Sequence, residues 1–479
     1  MDRRAASALA CRRKTRRKTR RKDRHLSYDT LYFVFFLALV WGAFFALPGK
    51  GWILLAASIV FYSVAGLRDS LLAAVIILVN YGFQFPVKRD RRWLWLLLAL
   101  NFGCLIYFKY RVFLATAAGV DFYERGVVIP LGISFYVFQL SAFLIDIGRG
   151  KAEPFTSLAR FSLFKLFFGQ LIAGPIMRWR AFAPQINRLF DGKLARPRYI
   201  GIGLALCVLG LVKKVMLADS LAPFVDDFFR DGPASALSAW VGAWLFGFQI
   251  YFDFSGYSDM ALGIAFLFGL RLTTNFRQPY LTHTPQAFWQ HWHITLSTWI
   301  RDYLYIPLGG GKGSFARQAC VLILVMGLAG LWHGANWTFL IWGIAWALAI
   351  LLWRLAGRHL AQLRAGEWAL TLIIAMLLWV FFRAPDLNAA LAYIGTMFGA
   401  RAAGTSGLPV DAAMSSLVIA GCIALLALHW LEAQLFTRRA THVLLRIDGP
   451  LLRGLLIGLA FWMVMLPKAQ NAPFIYFRF

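Results

Sequence analysis

Apolar runs recur along this chain from Leu31 almost to its end, each followed by a short polar, Gly- or Pro-marked break. Leu31–Leu47, Trp52–Leu67, Leu71–Phe85 and Trp93–Phe108 come first, near or just below the ~20 residues a helix needs to cross a bilayer. Val127–Ile147 is interrupted by Pro130 and Gly132 and ends in Asp146. Phe161–Ile176 contains Gly169, Gln170, Gly174 and Pro175. Breakers and amides inside an apolar run predict broken or re-entrant helices lining a cavity. Tyr199–Leu217 closes on Lys213 and Lys214. Ala234–Phe268 is long enough for two segments, and Asp253, Ser255, Gly256, Ser258 and Asp259 are expected to break its middle. Residues 271–318 are too polar to span and too aromatic for an ordinary loop, which predicts re-entrant or interfacial helices. Spans resume at Cys320–Leu331, Trp337–Leu352, Trp368–Phe382, Ser415–Leu431 and Leu451–Leu466. The pattern predicts an all-α, polytopic integral membrane protein of roughly a dozen spanning and re-entrant helices.

Composition narrows the class. The 479 residues are 60% hydrophobic and 15% charged, with a mean hydropathy of +0.62, which excludes a soluble globular protein. The formal net charge of +28 raises nucleic acid as a partner. The basic stretches lie between apolar runs, however, so the positive-inside rule and anionic lipid account for them and nucleic acid is not expected. Residues 1–26 form a separate basic tail, and 27–479 read as one membrane domain. Three apolar runs separate the tail from basic residues 86–92, so if all three cross, one of the two violates the positive-inside rule. Cys104, Cys207, Cys320 and Cys422 lie in apolar runs without motif spacing, and neither a disulfide framework nor a metal site is expected.

Three stretches carry candidate chemistry. Leu331–Trp337 reads Leu-Trp-His-Gly-Ala-Asn-Trp and places His333 near membrane depth, where an ionisable side chain is a functional candidate by default. The plainer reading is an imidazole satisfied by a backbone carbonyl. Tyr251–Met260 sets Asp253 and Asp259 among aromatic and hydroxyl residues. Two acids are more than a helix cap needs, so one of them, Asp253 before Asp259, is expected to hold a tunnel element or orient a histidine. Phe288–His293 and Trp299–Leu308 bring Trp292, His293, Arg301 and Asp302. His291 and His293 are two apart, so on a helix they would face different ways. A Gly-x-Ser-x-Gly elbow and His-Glu-x-x-His are absent, and Gly309–Gly313 lacks Walker spacing.

These residues resemble a known family. Pro130–Tyr136, Gln170–Pro175, Lys213-Lys214, Tyr251–Asp259, Asn275–Tyr280, Phe288–Leu308, Trp332–Trp337, Trp379–Ala384 and Pro473–Phe477 look like the membrane-bound O-acyltransferases. The branch is that of the alginate O-acetylase and the D-alanyl transfer protein of teichoic acids, and the Arg-Asp-Tyr-Leu-Tyr-Ile-Pro-Leu run leans to the first. The resemblance covers 30–479.

The resemblance implies helices ringed around a central tunnel, with His333 as catalytic histidine and His293 as the second. His291 stands where relatives often carry Arg and inherits no role. Asp253, Asp259, Asn336, Trp292, Trp332, Arg301, Asp302 and Gln170 become substrate or tunnel candidates. It further implies an acyl group, acetyl before others, taken from a cytoplasmic thioester. Acetyl-CoA is then a substrate, with no tightly bound cofactor and no metal. The product would be an O-acetylated exported polysaccharide such as alginate, made with a periplasmic acetyltransferase partner and polysaccharide assembly proteins at a bacterial inner membrane. Two rivals stand beside it: D-alanyl transfer from a carrier protein, and a proton-coupled transporter. Burial favours a neutral imidazole, the form a general base needs. His283, His359, His429 and His442 are expected to tolerate substitution.

Overall fold

The computed structural model describes residues 28–64, 66–120, 129–171, 174–193, 199–360, 364–400, 412–435, 448–466 and 474–475. The basic tail, Ile172, Ala173, His442 and Pro473 therefore lie outside the described residues, as does the side chain of His359. Among the described residues there is no strand.

The N-terminal half opens with α1 (Leu31–Ala46), α2 (Lys50–Ser63), α3 (Leu67–Arg89) and α4 (Arg91–Ala117). It continues with α5 (Ile133–Gly148), α6 (Leu158–Leu166), α7 (Trp179–Phe190) and α8 (Ile200–Arg230). The long α9 (Ala236–Leu267) follows, then the short α10 (Pro285–His291) and α11 (Ile294–Ile300). The chain closes with α12 (Phe315–His333), α13 (Trp337–Leu360), α14 (Arg364–Arg383), α15 (Leu387–Met397), α16 (Ala412–Leu435) and α17 (Pro450–Met465). Among the described residues six helices are long and apolar enough to cross a membrane: α3, α4, α8, α12, α13 and α14. Large apolar side chains such as Leu39, Leu67, Trp95, Leu352 and Leu451 are exposed on outer faces, as expected of a protein whose surroundings are lipid rather than water. The predicted all-α, multi-pass class holds.

One expectation fails. Ala236–Leu267 is a single unbroken helix, buried along nearly its whole length. Its polar residues do not compete with the backbone ladder because they are used sideways. Asp253 and Asp259 meet lysines on α8, and Ser258 Oγ accepts from the Asn275 amide at 3.4 Å. Gly256 is there for proximity: a Cβ on it would lie 2.7 Å from the carbonyl oxygen of Gly210, and one on Gly210 would lie 2.4 Å from that of Gly256. Small residues at a crossing let two helix backbones meet, and here they bring α8 against α9, which also touches α14, α15 and α16.

The other predicted irregularities are present. The run from Phe161 leaves the helix after Leu166, and Gly169–Pro175 is not helical where described. Residues 271–278 run without helix or strand beside the α10–α11 junction, with Arg277 N–H donating to His291 O at 3.0 Å and Ile294 N–H to Asn275 O at 2.8 Å. Three wide π turns, at Ile106–Tyr110, Val212–Ala218 and Arg301–Tyr305, interrupt α4 and α8 and extend α11. Each carries charged side chains that the fold uses: Lys109, the Lys213–Lys214 pair, and Arg301 with Asp302. Such turns recur at functional sites.

Candidate active site

His333 is the last residue of α12, and its placement follows from how α12 and α13 cross. A Cβ on Gly330 would fall 2.1 Å from the carbonyl oxygen of Phe339, and one on Gly343 would fall 2.1 Å from that of Met326. The two glycines thus allow backbone contact and bring Trp342 beside the end of α12. The His333 ring is enclosed by Trp332, Trp342 and Phe382, with centroids 4.7, 5.2 and 5.1 Å away. The residue is 3% exposed.

His293 arrives from a different element and is fully buried. It joins α10 to α11 in the left-handed backbone region, with φ 42° and ψ 53°. A non-glycine residue there costs of order 1–3 kcal/mol and persists where its surroundings fix it. Asn275 does the fixing. Its Oδ1 accepts from Thr295 N–H at 3.2 Å and Thr295 Oγ1 at 3.0 Å, and lies 3.1 Å from His293 Nδ1. A backbone N–H can only donate, so this Asn275 atom is the oxygen, and His293 Nδ1 must carry its proton toward it. In the neutral ring the lone pair then sits on Nε2. The Trp332 indole stands between the two histidines, 6.1 Å from His293 and 4.7 Å from His333. The structure therefore brings together the two histidines that the sequence places forty residues apart, with Trp332 between them.

Lys109, unremarkable in the sequence, holds the end of α12. Its Nζ donates to the carbonyl oxygens of Trp332 and His333, the latter at 3.1 Å, and lies 5.8 Å from the Trp332 ring centroid. Tyr110 Oη adds a bond to Leu331 O at 3.0 Å. Terminal helix carbonyls have no partner within the helix, and a cation there also meets the negative end of the dipole. Lys109 is accordingly a positioning residue for His333. Lys109→Met should lower kcat about 10–100-fold with little change in KM, since small displacements of a reacting group carry costs of that size. Lys109→Arg should recover part of it. Equal kcat values for the Met variant and the native protein would remove the role.

The other candidates are distributed around this centre. Trp292 is buried against Trp379 and Phe276, at 4.8 and 5.2 Å, as part of the aromatic wall. Trp299 continues that wall by stacking on Phe138, which stacks on Trp332. Gln170 lines a small cavity with Tyr136, Gln139 and Lys165. Asn336 caps α13: its Oδ1 accepts from Thr338 N–H at 3.2 Å and its amide donates to Pro385 O at 2.9 Å. Arg301 is exposed and pairs with Asp302, which also meets Arg178, so this set staples α11 to the start of α7. Asp253 and Asp259 contact lysines instead of histidines. Lys214 bridges Asp253 and Asp219 at 2.7 and 2.8 Å, and Lys213 bridges Asp259 and Glu432. Asp253 Oδ2 also accepts from Ile475 N–H at 2.7 Å, holding the C-terminal segment against α9.

His429 is expected from the sequence to tolerate substitution as a residue outside any constellation, and the structure places it inside one. It is fully buried, edge-on to Tyr251 at 4.5 Å and 3.5 Å from Glu432. Substitution there would open a cavity beside the ion cluster. The physical reason is that α16 delivers its side chain into the core, which a uniformly apolar run does not reveal.

What this arrangement can do is limited and specific: two buried imidazoles in an aromatic, water-poor setting suit proton transfer to or from an uncharged substrate. Comparison with known proteins gives the class. The model of the membrane-bound O-acyltransferase family matches residues 152–388. A probable alginate O-acetylase of Azotobacter vinelandii is 38% identical over 77% of this chain and 77% of its own length. Another, of Pseudomonas putida, is 35% identical over 89% of this chain and 94% of its own. A peptidoglycan O-acetyltransferase of Helicobacter pylori is 35% identical over 73% of this chain and 74% of its own.

Proposed function

Since the chain belongs to the membrane-bound O-acyltransferase family, we propose that this acyltransferase takes an acetyl group from acetyl-CoA on the cytoplasmic side of a bacterial inner membrane. The group is delivered, through a central tunnel of the kind the family resemblance implies, toward O-acetylation of an exported polysaccharide of the alginate type, with a periplasmic acetyltransferase as partner. The observation that carries this reading is the pairing of His333 and His293 across Trp332, taken with relatives named as O-acetylases on both alginate and peptidoglycan.

The chemistry closes without a covalent enzyme intermediate. A thioester carbonyl is already reactive, so the step in need of help is removal of a proton from the attacking hydroxyl. His333 takes that proton as the oxygen attacks the carbonyl carbon. The tetrahedral adduct collapses, the C–S bond breaks, and the thiolate takes the proton back from the imidazolium. General-base help of this kind contributes ~10²–10⁴-fold. His293, held by Asn275, stands as the supporting group, and the aromatic enclosure keeps water from hydrolysing the thioester.

The test uses purified, reconstituted protein with acetyl-labelled acetyl-CoA and alginate oligosaccharides, alone and with a periplasmic extract. Hydroxylamine-labile label on the oligosaccharide is the expected result. Label transferred only from a D-alanyl carrier protein would establish the rival donor instead.

A further inference from the structure

Outside the two-histidine centre, the group least explained by the mechanism is Lys165. It sits in the last turn of α6 with its side chain inside the protein, 2% exposed. Among the described residues its Nζ has no hydrogen-bond partner, and its nearest aromatic face is Phe164, 4.7 Å to the centroid. It lines a cavity of about 10 Å³ with Tyr136, Gln139 and Gln170, and Tyr136 Oη and Gln170 Oε1 are likewise buried without partners.

We propose that this cavity is an anion site sized for a single halide ion such as chloride. Three observations lead there. A buried ammonium with no carboxylate is costly, and a ring face offsets only part of that cost. The volume corresponds to about one water, too small for a carboxylate or phosphate. The lining is rich in donors. Besides Lys165 and the Tyr136 hydroxyl, the Gln139 and Gln170 amides each spend one N–H on Phe164 O, at 3.2 and 2.9 Å, and keep a second. Gln170 Oε1 can share an ammonium proton but, being uncharged, cannot offset the charge. A water would fit the space and leave the lysine uncompensated.

The site includes one of the tunnel candidates, Gln170, and adjoins the two histidines without including either. Ile176, in the cavity wall, donates its N–H to Thr295 Oγ1 at 3.1 Å, and Thr295 Oγ1 donates in turn to the Asn275 oxygen that holds His293. Phe135, also in the wall, packs edge-on to Trp332 at 5.8 Å. An occupied site therefore stiffens the layer behind both histidines, whichever acyl donor the enzyme uses.

Unfolding of the full chain in detergent, followed by tryptophan fluorescence at constant ionic strength, tests this. Replacing gluconate by chloride, and separately by bromide, should raise the midpoint saturably by about 2–4 °C, the size a moderately occupied site supplies. Sulfate should have no such effect. Lys165→Met should abolish the rise, and Tyr136→Phe, which removes one hydroxyl, should raise the half-saturating chloride concentration about 10-fold. If Lys165→Met does not fold, the native titration and Tyr136→Phe decide. Identical midpoints in gluconate and chloride, or a rise that Lys165→Met or Tyr136→Phe leaves unchanged, would overturn the proposal and make the cavity a water site beside a neutral amine.

Discussion

His333→Gln is expected to purify with a near-native unfolding midpoint and to lose acyl transfer by at least about 10²-fold, the lower bound for a missing general base. Gln keeps a polar side chain of similar reach but cannot take a proton. The His333 ring packs on Trp332, Trp342 and Phe382, and each of these has other ring partners: Trp342 lies 5.1 Å from Phe382 and 5.8 Å from Trp379, and Trp332 lies 5.4 Å from Phe138. The wall therefore does not depend on the imidazole for its own cohesion. Substitution should leave the enclosure standing and remove only the proton acceptor. His293→Ala is expected to differ in kind. It strips the Asn275 oxygen of one of its three contacts and leaves an alanine in the left-handed region without the bond that fixed it there, so activity should fall together with some loss of order around α10 and α11. Turnover and midpoint measured on the same preparations separate the two cases. Near-normal turnover in a folded His333→Gln protein would exclude His333 as the base.

Much of the fold was legible because hydrophobic run length is a direct readout of burial in lipid. Ala234–Phe268 shows where that readout stops. Its central Asp, Ser and Gly residues have the composition of a break, and within a window of that length nothing says otherwise. The lysines that neutralise Asp253 and Asp259 lie some forty residues earlier in the chain, and the glycine that answers Gly256 is Gly210. Polar residues inside an apolar run are consistent with either a broken helix or a buried ionic contact, and only the partner decides. The same limit hid Lys109. At the end of Trp93–Phe108 it reads as an ordinary interfacial lysine, and its role depends on a π turn that aims it at the end of α12. Asn275 was visible as part of Asn-Phe-Arg-Gln-Pro-Tyr, but its work on His293 rests on a bond across eighteen residues and a left-handed junction. The histidines were legible because an imidazole at membrane depth is conspicuous wherever its partners are.

The buried ion cluster should give the largest stability effects. Lys214 holds Asp253 and Asp219, and Lys213 holds Asp259 and Glu432, with Tyr251 Oη donating to Glu432 at 2.8 Å. Together they tie α8 to α9, α16 and the segment at Ile475. All four acids and both lysines are at most 14% exposed in their side chains. Removing one partner of a buried pair leaves the other uncompensated, at about 3–5 kcal/mol. Lys214→Met should fall in that range, because it strands two carboxylates. Asp253→Asn should cost less, since Lys214 keeps Asp219 and the Asn oxygen can still accept from Ile475 N–H. The informative comparison is the double variant. Lys214→Met combined with Asp253→Asn removes a charge of each sign from the same contact, so it should be more stable than Lys214→Met alone, a non-additivity that neighbouring residues show and distant ones do not. Unfolding midpoints of the four proteins in one detergent measure it. Additive losses would mean that the cation and Asp253 act separately, and that the close approach of Gly210 and Gly256, rather than charge, holds α8 to α9.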